Sequence, residues 1–238
     1  IGEVLRNGHL DAEYIYSSGK QLVRHNVYSV AGNQSVLSLY VLYEYGAGGN
    51  IAKRKIFASD TLNNYYDLTY DNANKLSRMD WHIFQDDIYE YRLYDYNPQG
   101  LISKYTVKSY ATNKAKNYVE FTYDGEGRLT NQKTYNWQTD KFYLASNIDY
   151  TPSGKNVYKH WQQFMTYPSD LWLAELNSES KHVVNYNESG QVSTDYTEAG
   201  TNRQFNGAGY LTKQTVTKTY VKPANAGDVR NMEYMYVQ

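Results

Sequence analysis

Residues 121–130 of the chain read FTYDGEGRLT, and the turn at the centre of this stretch decides the fold. Tyr123 is followed by an aspartate, two variable residues, Gly127 and then the aliphatic Leu129. Aspartate at the first position of a turn and glycine at the fourth favour a type I turn, and a glycine with positive φ adds a G1 bulge. The stretch therefore predicts a β-hairpin in which Tyr123 lies directly opposite Leu129.

The same pattern recurs along most of the chain. Its other clear copies are residues 45–51 (YGAGGNI), 70–76 (YDNANKL), 96–102 (YNPQGLI), 186–192 (YNESGQV) and 205–211 (FNGAGYL). Two copies are imperfect: residues 16–22 (YSSGKQL) have the glycine one position early, and residues 150–157 (YTPSGKNV) have the aliphatic residue one position late. Most of the aromatic anchors follow one another after about 27 residues, which indicates about eight repeated units.

Each unit contains two strands and two turns. Second turn signals, such as Ala31-Gly32-Asn33 and Thr112-Asn113-Lys114, lie between the anchor hairpins. The remaining residues are rich in β-branched and aromatic types, which favours strands over helices. We predict an all-β fold: an antiparallel meander of about eight hairpins, around 16 strands, in a single twisted, rolled or barrel-closed sheet. Residues 1–238 are predicted to form one domain.

The pattern leaves the closure of this sheet open. Twisted open sheets rarely exceed about ten strands without curling, and closure removes exposed edges, so a barrel is one alternative. A membrane barrel is not predicted, because it needs one apolar face on alternate residues. The strand after Tyr123 carries polar residues on both faces, with Thr130, Gln132, Thr134 and Asn136 on one and Leu129, Asn131 and Lys133 on the other.

The composition argues against several classes of function. The formal net charge of −1 gives no overall field to recruit nucleic acid or an anionic membrane. There is no long apolar run and the mean hydropathy is −0.76, so no membrane-spanning helix is expected. Cysteine is absent, which excludes thiolate and disulfide chemistry. The chain begins at Ile1 rather than Met, and we expect an exported protein whose targeting segment has been removed.

Tyrosine takes the place of leucine as the main large apolar residue of the chain. The 28 tyrosines outnumber the leucines, although leucine is normally among the commonest residues of a globular protein. An aromatic ring with a polar tip suits a surface that is half covered and half wet, as in a thin sheet without a deep core.

The stretch FTYDGEGRLT, with its Tyr-Asp, its glycine and its Arg-Leu, resembles the YD repeat of Rhs-like and related secreted bacterial proteins. The other copies are degenerate, and the resemblance extends over residues 14–211. It implies a long antiparallel sheet of YD-type hairpins, export to the cell envelope or beyond, and encapsulation, adhesion or carbohydrate binding without catalysis. The chain lacks the Asp-Pro and Gly-rich closing motif of the large toxin-delivery members. It is more similar to the short YD-like proteins exported by Gram-negative gut bacteria, which often carry a lipid anchor.

Five aromatic residues are the candidate ligand-binding residues, because aromatic rings can stack on the apolar faces of sugars: Trp81, Trp137, Trp161, Trp172 and Tyr135. Packing within the sheet explains them equally well. A carbohydrate is therefore one candidate partner, and an envelope protein is another.

A column of basic residues recurs eight positions after the anchor, at Lys53, Arg78, Lys104 and Lys213, with Arg24 close to equivalent. The two-residue period of a strand places these cations on the same face as the anchor pair. They could line a groove for an anionic polymer. Alternatively, their stems could cover aromatic rings while the charged heads stay in water.

Signatures of metal binding and catalysis are missing from the sequence. The histidines at positions 9, 25, 82, 160 and 182 form no paired motif, so neither a metal site nor a cofactor is predicted. Asp86 and Asp87, with Glu90, are the densest carboxylates and indicate a turn between two strands. No nucleophile elbow or P-loop is present, so no catalytic residues are assigned.

Three functional hypotheses follow. The favoured one is a non-enzymatic, exported β-repeat protein of the periplasm or cell surface that binds glycan. The second is a structural or assembly component that pairs a sheet edge or flat face with a partner chain. The third is a carbohydrate-active hydrolase whose carboxylate pair is brought together by the fold. Neither the ligand nor the oligomeric state follows from the pattern.

Overall fold

The computed structural model describes residues 2–83, 88–138, 141–153, 178–222 and 228–235. Every regular element in these ranges is a β-strand, and none of the ranges holds a helix with the length and hydrophobicity needed to cross a membrane. The strands are β1 (Glu3–Arg6), β2 (His9–Tyr16), β3 (Leu22–Ala31), β4 (Gln34–Tyr45), β5 (Ile51–Ala58), β6 (Thr61–Tyr70), β7 (Leu76–Ile83), β8 (Ile88–Tyr96), β9 (Ile102–Ser109), β10 (Ala115–Tyr123), β11 (Leu129–Gln138), β12 (Lys141–Pro152), β13 (Ser178–Tyr186), β14 (Val192–Phe205), β15 (Leu211–Lys222) and β16 (Asp228–Met235).

The sixteen strands are hydrogen-bonded in chain order, and β1 pairs with both β2 and β16. Arg6 lies opposite His9 on one side and opposite Met232 on the other, both in antiparallel register. The sheet therefore closes as a barrel. This confirms the predicted antiparallel meander of about 16 strands and selects the closed alternative.

The contacts of the chain group into two compact units, residues 1–91 with 230–238 and residues 92–229. The nearly fully buried side chains of the first unit include Leu22, Val41, Ile51, Tyr66 and Met79, and those of the second include Val119, Leu129, Gln132 and Leu211. A single domain over residues 1–238 stays a prediction.

The anchor hairpins have the turn that their sequence predicts. After β10, the backbone N–H of Gly127 donates to the carbonyl of Asp124 at 3.0 Å, and Gly127 has a φ of 76°. Tyr123 pairs with Leu129 as predicted. The same anchor pairing holds at residues 16 and 22, 45 and 51, 70 and 76, 186 and 192, and 205 and 211.

A second bulge, which the sequence analysis did not predict, follows the aliphatic residue. Beyond the pair of Tyr123 with Leu129, the register resumes with Thr122 opposite Asn131, so that Thr130 is skipped. Thr130 Oγ1 donates to the carbonyl of Thr122 at 3.0 Å, and Ser77, Ser193 and Thr212 make the same bond in their own hairpins. The hydroxyl satisfies a carbonyl beside the interrupted ladder, and the extra residue reverses the alternation of faces.

The hairpin at residues 186–192 joins β13 to β14, and the next anchor hairpin, at residues 205–211, joins β14 to β15. Consecutive hairpins of a meander lie at opposite ends of the strands. The short spacing between Tyr186 and Phe205 therefore reflects two successive hairpins, whereas the earlier anchors mark every second hairpin.

Candidate functional site

The basic column lies on the sheet face opposite the anchor pairs. Lys53 pairs with Glu44, which is the neighbour of the anchor Tyr45, and successive residues of a strand point to opposite faces. The prediction that these cations share the face of the anchor pair is wrong. The cause is the second bulge, which at Ala52 moves Lys53 across the sheet.

Each cation of the column in the first unit lies over a tyrosine ring of the following strand. The Arg24 guanidinium is 4.0 Å from the centroid of the Tyr40 ring, and Lys53 Nζ is 4.3 Å from that of Tyr65. The Arg78 guanidinium lies 4.2 Å from the ring centroid of Tyr91. Cation–π attraction of this kind contributes roughly 0.5–1 kcal/mol at exposed sites and more where the pair is desolvated.

Two of these tyrosines carry a second ring on their other side. Phe57 stacks on Tyr40 with centroids 4.9 Å apart, and His82 stacks on Tyr65 at 4.2 Å. Tyr40 and Tyr65 are thus held between a cation and a ring.

Carboxylates complete the coordination of the cations. Lys53 Nζ is 3.1 Å from Asp67 Oδ1, and Arg78 binds the carboxylate of Asp80 through Nε and Nη2 at 2.6–3.1 Å. His82 Nε2 lies 3.1 Å from the other oxygen of Asp67. The cations of the first unit are therefore engaged within the sheet. The charged groups themselves lie over the rings, whereas the predicted alternative to a groove had the stems covering the rings and the charged heads in water.

Asp67 and Asp80 are a carboxylate pair that the sequence analysis missed. They are direct cross-strand partners on β6 and β7, a position where like charges repel. The register of two strands brings them together, and spacing in the sequence gives no signal of it. Since Lys53, His82 and Arg78 each contact one of these carboxylates, the pair has the charge balance of a structural network.

In the second unit, the column residue Lys104 makes a cation–tyrosine stack of the same kind. Lys104 Nζ lies 4.0 Å from the ring centroid of Tyr118, and Tyr135 stacks on the other side of that ring at 4.6 Å. The last member of the predicted column, Lys213, pairs with Gln204 on β14.

The hydroxyl groups of the anchor tyrosines form a second set of contacts that the sequence analysis missed. Tyr45 Oη donates to the carbonyl of Leu22 at 2.8 Å, and Tyr70 Oη donates to that of Ile51 at 2.9 Å. In the second unit, Tyr123 Oη donates to the carbonyl of Ile102 at 2.8 Å. Each acceptor is the aliphatic partner in the preceding anchor hairpin, so these bonds tie successive repeats together.

Burial changes the acidity of these tyrosines. Desolvation, together with the nearby Tyr45, raises the pKa of both Tyr16 and Tyr70 to about 12. Desolvation also raises the pKa of Tyr45, against the opposing effect of its hydrogen bond to Leu22. The three hydroxyl groups therefore stay protonated, and able to donate, throughout the physiological pH range.

Trp81 lies in the first unit, on the same face as the anchor pair of its hairpin. It pairs with the fully buried Tyr66, with nearly parallel rings 6.2 Å apart, and meets Tyr89 edge to face at 5.4 Å. Two rings thus cover much of the indole, which is the arrangement of a packing residue.

Trp137 and Tyr135 lie together in the second unit, on the face opposite the anchor pair of Tyr123. Trp137 is 42% exposed and meets Phe142 edge to face at 4.8 Å. Phe142 also meets Tyr118 edge to face at 4.8 Å. We call Tyr118, Tyr135, Trp137 and Phe142 the aromatic platform. The remaining predicted residues, Trp161 and Trp172, lie outside the described residues.

Polar groups continue the face of the aromatic platform along β11. Lys133 is exposed and lies opposite Glu120. Asn131 Nδ2 donates to Asn147 Oδ1 at 2.9 Å and to Asp149 Oδ1 at 2.6 Å. These groups can exchange hydrogen bonds with hydroxyl-rich ligands.

No group of three or more His, Asp or Glu side chains within the described ranges is arranged to hold a metal ion. Asp86, Asp87 and His160 fall outside these ranges, while Glu90 lies on β8.

Comparison with known proteins finds similar structures but no similar sequence family. No family profile and no curated protein matches the sequence. The chain is similar to a porin-like protein from Bacteroides uniformis, with a TM-score of 0.57 and 12% identity over 94% of this chain and 88% of that one. A porin-like protein from Bacteroides vulgatus matches at a TM-score of 0.46 with 9% identity, over 100% and 98% of the two chains. A TcdB2–TccC3–TEV structure matches at 0.36 with 11% identity, over 93% of this chain and 13% of that one. The first likeness shows that this chain shares the fold of a Bacteroides porin-like protein.

Proposed function

We propose that this chain is a non-enzymatic β-repeat protein of the cell envelope that binds glycans through the aromatic platform. The observation that carries the proposal is Trp137, a large exposed indole fixed at its edge by Phe142. A ring held in place by its neighbours loses little conformational entropy when a ligand binds, so it can stack on a sugar at low cost.

The shape of the platform suits an extended ligand. Asn131, Lys133, Tyr135 and Trp137 alternate along one face of β11, a row of about 20 Å at roughly 3.4 Å per residue. Aromatic rings occupy one end of this row and polar groups the other. An oligosaccharide lying along β11 would meet stacking and hydrogen-bonding groups in turn.

Three further observations support the envelope location and the lack of an enzymatic role. The fold resembles that of a porin-like protein from a Bacteroides species. The repeat resembles the YD repeat of exported bacterial proteins, and we regard the chain as a divergent, short YD-like protein. Each carboxylate of the cross-strand pair Asp67 and Asp80, the alternative basis for hydrolysis, is ion-paired, with Lys53 and Arg78 respectively.

A glycan array and polysaccharide pull-down test the proposal directly. The intact protein is compared with Trp137→Ala and Phe142→Ala, and with Tyr89→Ala as an exposed aromatic control in the first unit. We expect binding to be lost in the first two variants and kept in the control, with the circular dichroism spectrum of the sheet unchanged. Absence of binding by the intact protein across the panel would reject glycan recognition.

The β3–β4 hairpin favours a second candidate function, that of an assembly component. Val30, Val36 and Leu37 are 54%, 46% and 42% exposed near its turn. Exposed apolar clusters commonly mark protein contacts. If the hairpin holds a partner or a second copy, light scattering should show an oligomer or complex that Val36→Lys dissociates. A strict monomer that recovers no partner from envelope extracts would exclude this alternative.

A further inference from the structure

The β9–β10 hairpin, which lies beside the aromatic platform in the second unit, carries an excess of positive charge. Residues 96–119 contain four lysines and no aspartate or glutamate, whereas the whole chain has a formal net charge of −1. The lysines are Lys104 and Lys108 on β9, Lys114 in the turn and Lys116 on β10. Only the first of them belongs to the basic column described above.

Two of these lysines flank Tyr118, a ring of the platform. Thr106 is the cross-strand partner of Tyr118, and Lys104 is that of Glu120. Side chains two residues apart on a strand share a face, so Lys104 and Lys108 lie on the platform face, on either side of Thr106. The contact is direct for Lys104, whose Nζ lies 4.0 Å from the ring centroid of Tyr118.

The other two lysines lie at the end of the hairpin where the platform has its exposed indole. Asn117 of β10 pairs with Asn136 of β11. The next residue toward the β9–β10 turn is Lys116 on β10, and the next residue on β11 is Trp137, and both are exposed. The basic hairpin and the indole therefore border one another on neighbouring strands.

Part of the positive charge is not compensated within the hairpin. Lys114 is exposed and Lys108 is half-buried. Among the residues that the structure describes, the side chains of Lys108 and Lys114 form no ion pair and no hydrogen bond. Lys53 of the basic column, in contrast, contacts Asp67 at 3.1 Å. Two ammonium groups of the hairpin are thus available to a ligand.

Carboxylates flank the basic stretch without cancelling its charge. Glu120 directly follows the stretch, and its Oε1 lies 4.0 Å from Lys104 Nζ. Asp95 directly precedes the stretch and is exposed on β8. Asp149, on β12, accepts hydrogen bonds from two asparagine amides at 2.6 and 2.8 Å. Four lysines against the two flanking acids leave residues 95–120 with a formal charge of +2.

We propose that the aromatic platform and the β9–β10 hairpin together bind an acidic glycan, a chain of sugar rings with carboxylate or sulfate groups at intervals. This inference rests on the proposed glycan-binding function and names the class of glycan. The sugar rings stack on the platform, and the lysine ammonium groups contact the acid groups as point charges.

The spacing of the lysines favours a polymer with widely separated charges. Lys104 and Lys108 are four residues apart on β9, which is about 14 Å at roughly 3.4 Å per residue. One strand of DNA, in comparison, carries a phosphate about every 3.4 Å. A polysaccharide with an acid group on every second sugar fits this spacing better than a nucleic acid does.

Isothermal titration calorimetry of the intact protein tests the proposal with four probes. Hyaluronan carries a carboxylate on every second sugar, and keratan sulfate carries sulfate groups without carboxylates. Carboxyl-reduced hyaluronan is the neutral control with the same backbone, and oligothymidylate represents nucleic acid. We expect an acidic glycan to bind more tightly than the neutral control, with an affinity that falls as salt screens the charges. Binding of hyaluronan alone would assign the carboxylate, and binding of keratan sulfate alone would assign the sulfate.

Two other outcomes would overturn this inference. If the protein binds neutral glycans on the array and neither acidic polymer, the acidic class is wrong while the proposed glycan-binding function stands. Absence of binding to every glycan would reject the proposed function itself. If oligothymidylate binds as tightly as the acidic glycans at the same salt concentration, the surface recognises nucleic acid instead.

Variants of the hairpin separate its lysines from a general effect of charge. The double variant Lys108→Gln and Lys114→Gln should weaken binding of the acidic glycan up to about tenfold at low salt, because exposed ion pairs each contribute little. Lys108→Arg with Lys114→Arg keeps both charges and should keep the affinity. Lys20→Asn removes an exposed lysine of the first unit, where asparagine tolerates the positive φ, and should change nothing.

The platform must contribute to the same binding event. Trp137→Ala should also weaken binding of the acidic glycan, because the indole stacks on its sugar rings. Equal affinities of the glutamine double variant and the intact protein, or an affinity that does not depend on Trp137, would overturn the proposal.

Discussion

The anchor position shows how much one hydroxyl group can do in this fold. The rings of Tyr45, Tyr70 and Tyr123 pair with an aliphatic residue in their own hairpin, as a phenylalanine could. Their hydroxyl groups reach a carbonyl of the preceding anchor hairpin. Phe205 can make the first contact and not the second. Tyrosine therefore links neighbouring repeats as well as the two strands of one hairpin.

Tyr70→Phe tests this role. The variant keeps the ring and removes the donor to the carbonyl of Ile51, so we expect the free energy of unfolding to fall by about 1 kcal/mol. Urea denaturation measures it. Tyr89→Phe, at a tyrosine that is 51% exposed, is the matched control and should change stability little. Equal effects of the two substitutions would contradict the role of the hydroxyl group.

The first repeat contains a misplaced glycine. Gly19 occupies the third turn position, while Lys20 occupies the fourth and adopts a φ of 62°. A side chain in this left-handed region costs about 1–2 kcal/mol. We expect Lys20→Gly to raise the free energy of unfolding by up to about 1 kcal/mol, after the greater flexibility of the unfolded chain is allowed for.

Chemical denaturation of two further variants checks this prediction. Gly127→Ala forces an alanine to adopt the φ of 76° found in the regular repeat, and this substitution should destabilise the protein. Gly19→Ala, at ordinary backbone angles, should be nearly neutral. If Lys20→Gly destabilised the protein, strain at Lys20 would not be the controlling factor.

At the scale of the hairpin, Asp124 organises the turn. Its Oδ1 accepts from the backbone N–H groups of Glu126 and Arg128, each at 2.9 Å, and its Oδ2 accepts from Arg128 Nε at 2.8 Å. Burial alone would raise the pKa of Asp124, but these hydrogen bonds and the positive charge of Arg128 hold it below the ordinary value of 3.8.

This lowered pKa predicts an acid dependence of stability. Because the folded-state pKa lies below the unfolded one, the contribution of Asp124 is complete above the ordinary pKa and is lost as pH falls through the folded-state value. Asp124→Asn should lower stability at neutral pH and flatten the loss in acid. Free energies of unfolding measured from neutral pH down into acid test both effects. Glu188→Gln, in the exposed turn of another hairpin, is the control and should keep the wild-type acid dependence.

The hairpins also show which features of the fold the sequence predicts and which it does not. The turn residues of the repeat predict the anchor pairs, because the Asp or Asn side chain at the first position bonds the turn backbone and glycine at the fourth position accepts a positive φ. The second bulge at Thr130 leaves only a weak sequence signal, a Ser or Thr at that position in several repeats. The bulge reverses the face on which the following residues of the same strand lie. The face of Lys53 was therefore mispredicted. The contacts of Glu198 with Lys181 and Lys218 depend on a register that no local pattern specifies.

At the scale of the whole molecule, pairing of β1 with β16 closes the sheet. The backbone N–H of Asn7 donates to the carbonyl of Asn231 at 2.7 Å, and that of Asn231 donates to Asn7 Oδ1 at 2.8 Å. Removal of β16 would expose two strand edges with unpaired backbone groups, which promote association.

We expect a chain ending after residue 222 to form oligomers, measured by light scattering, while the intact chain keeps its state. A peptide of residues 228–235 added in trans should reverse this association. A shortened chain with the same mass distribution as the intact one would show that closure does not protect the edges.

The two-strand repeat limits how such a gene can change length. Tandem duplication of one whole unit adds an up strand and a down strand, so the first and last strands still meet antiparallel. Gain of a single strand would bring them together in the wrong direction. Recombination between copies is therefore tolerated in whole units, and related genes should differ by multiples of about 27 codons.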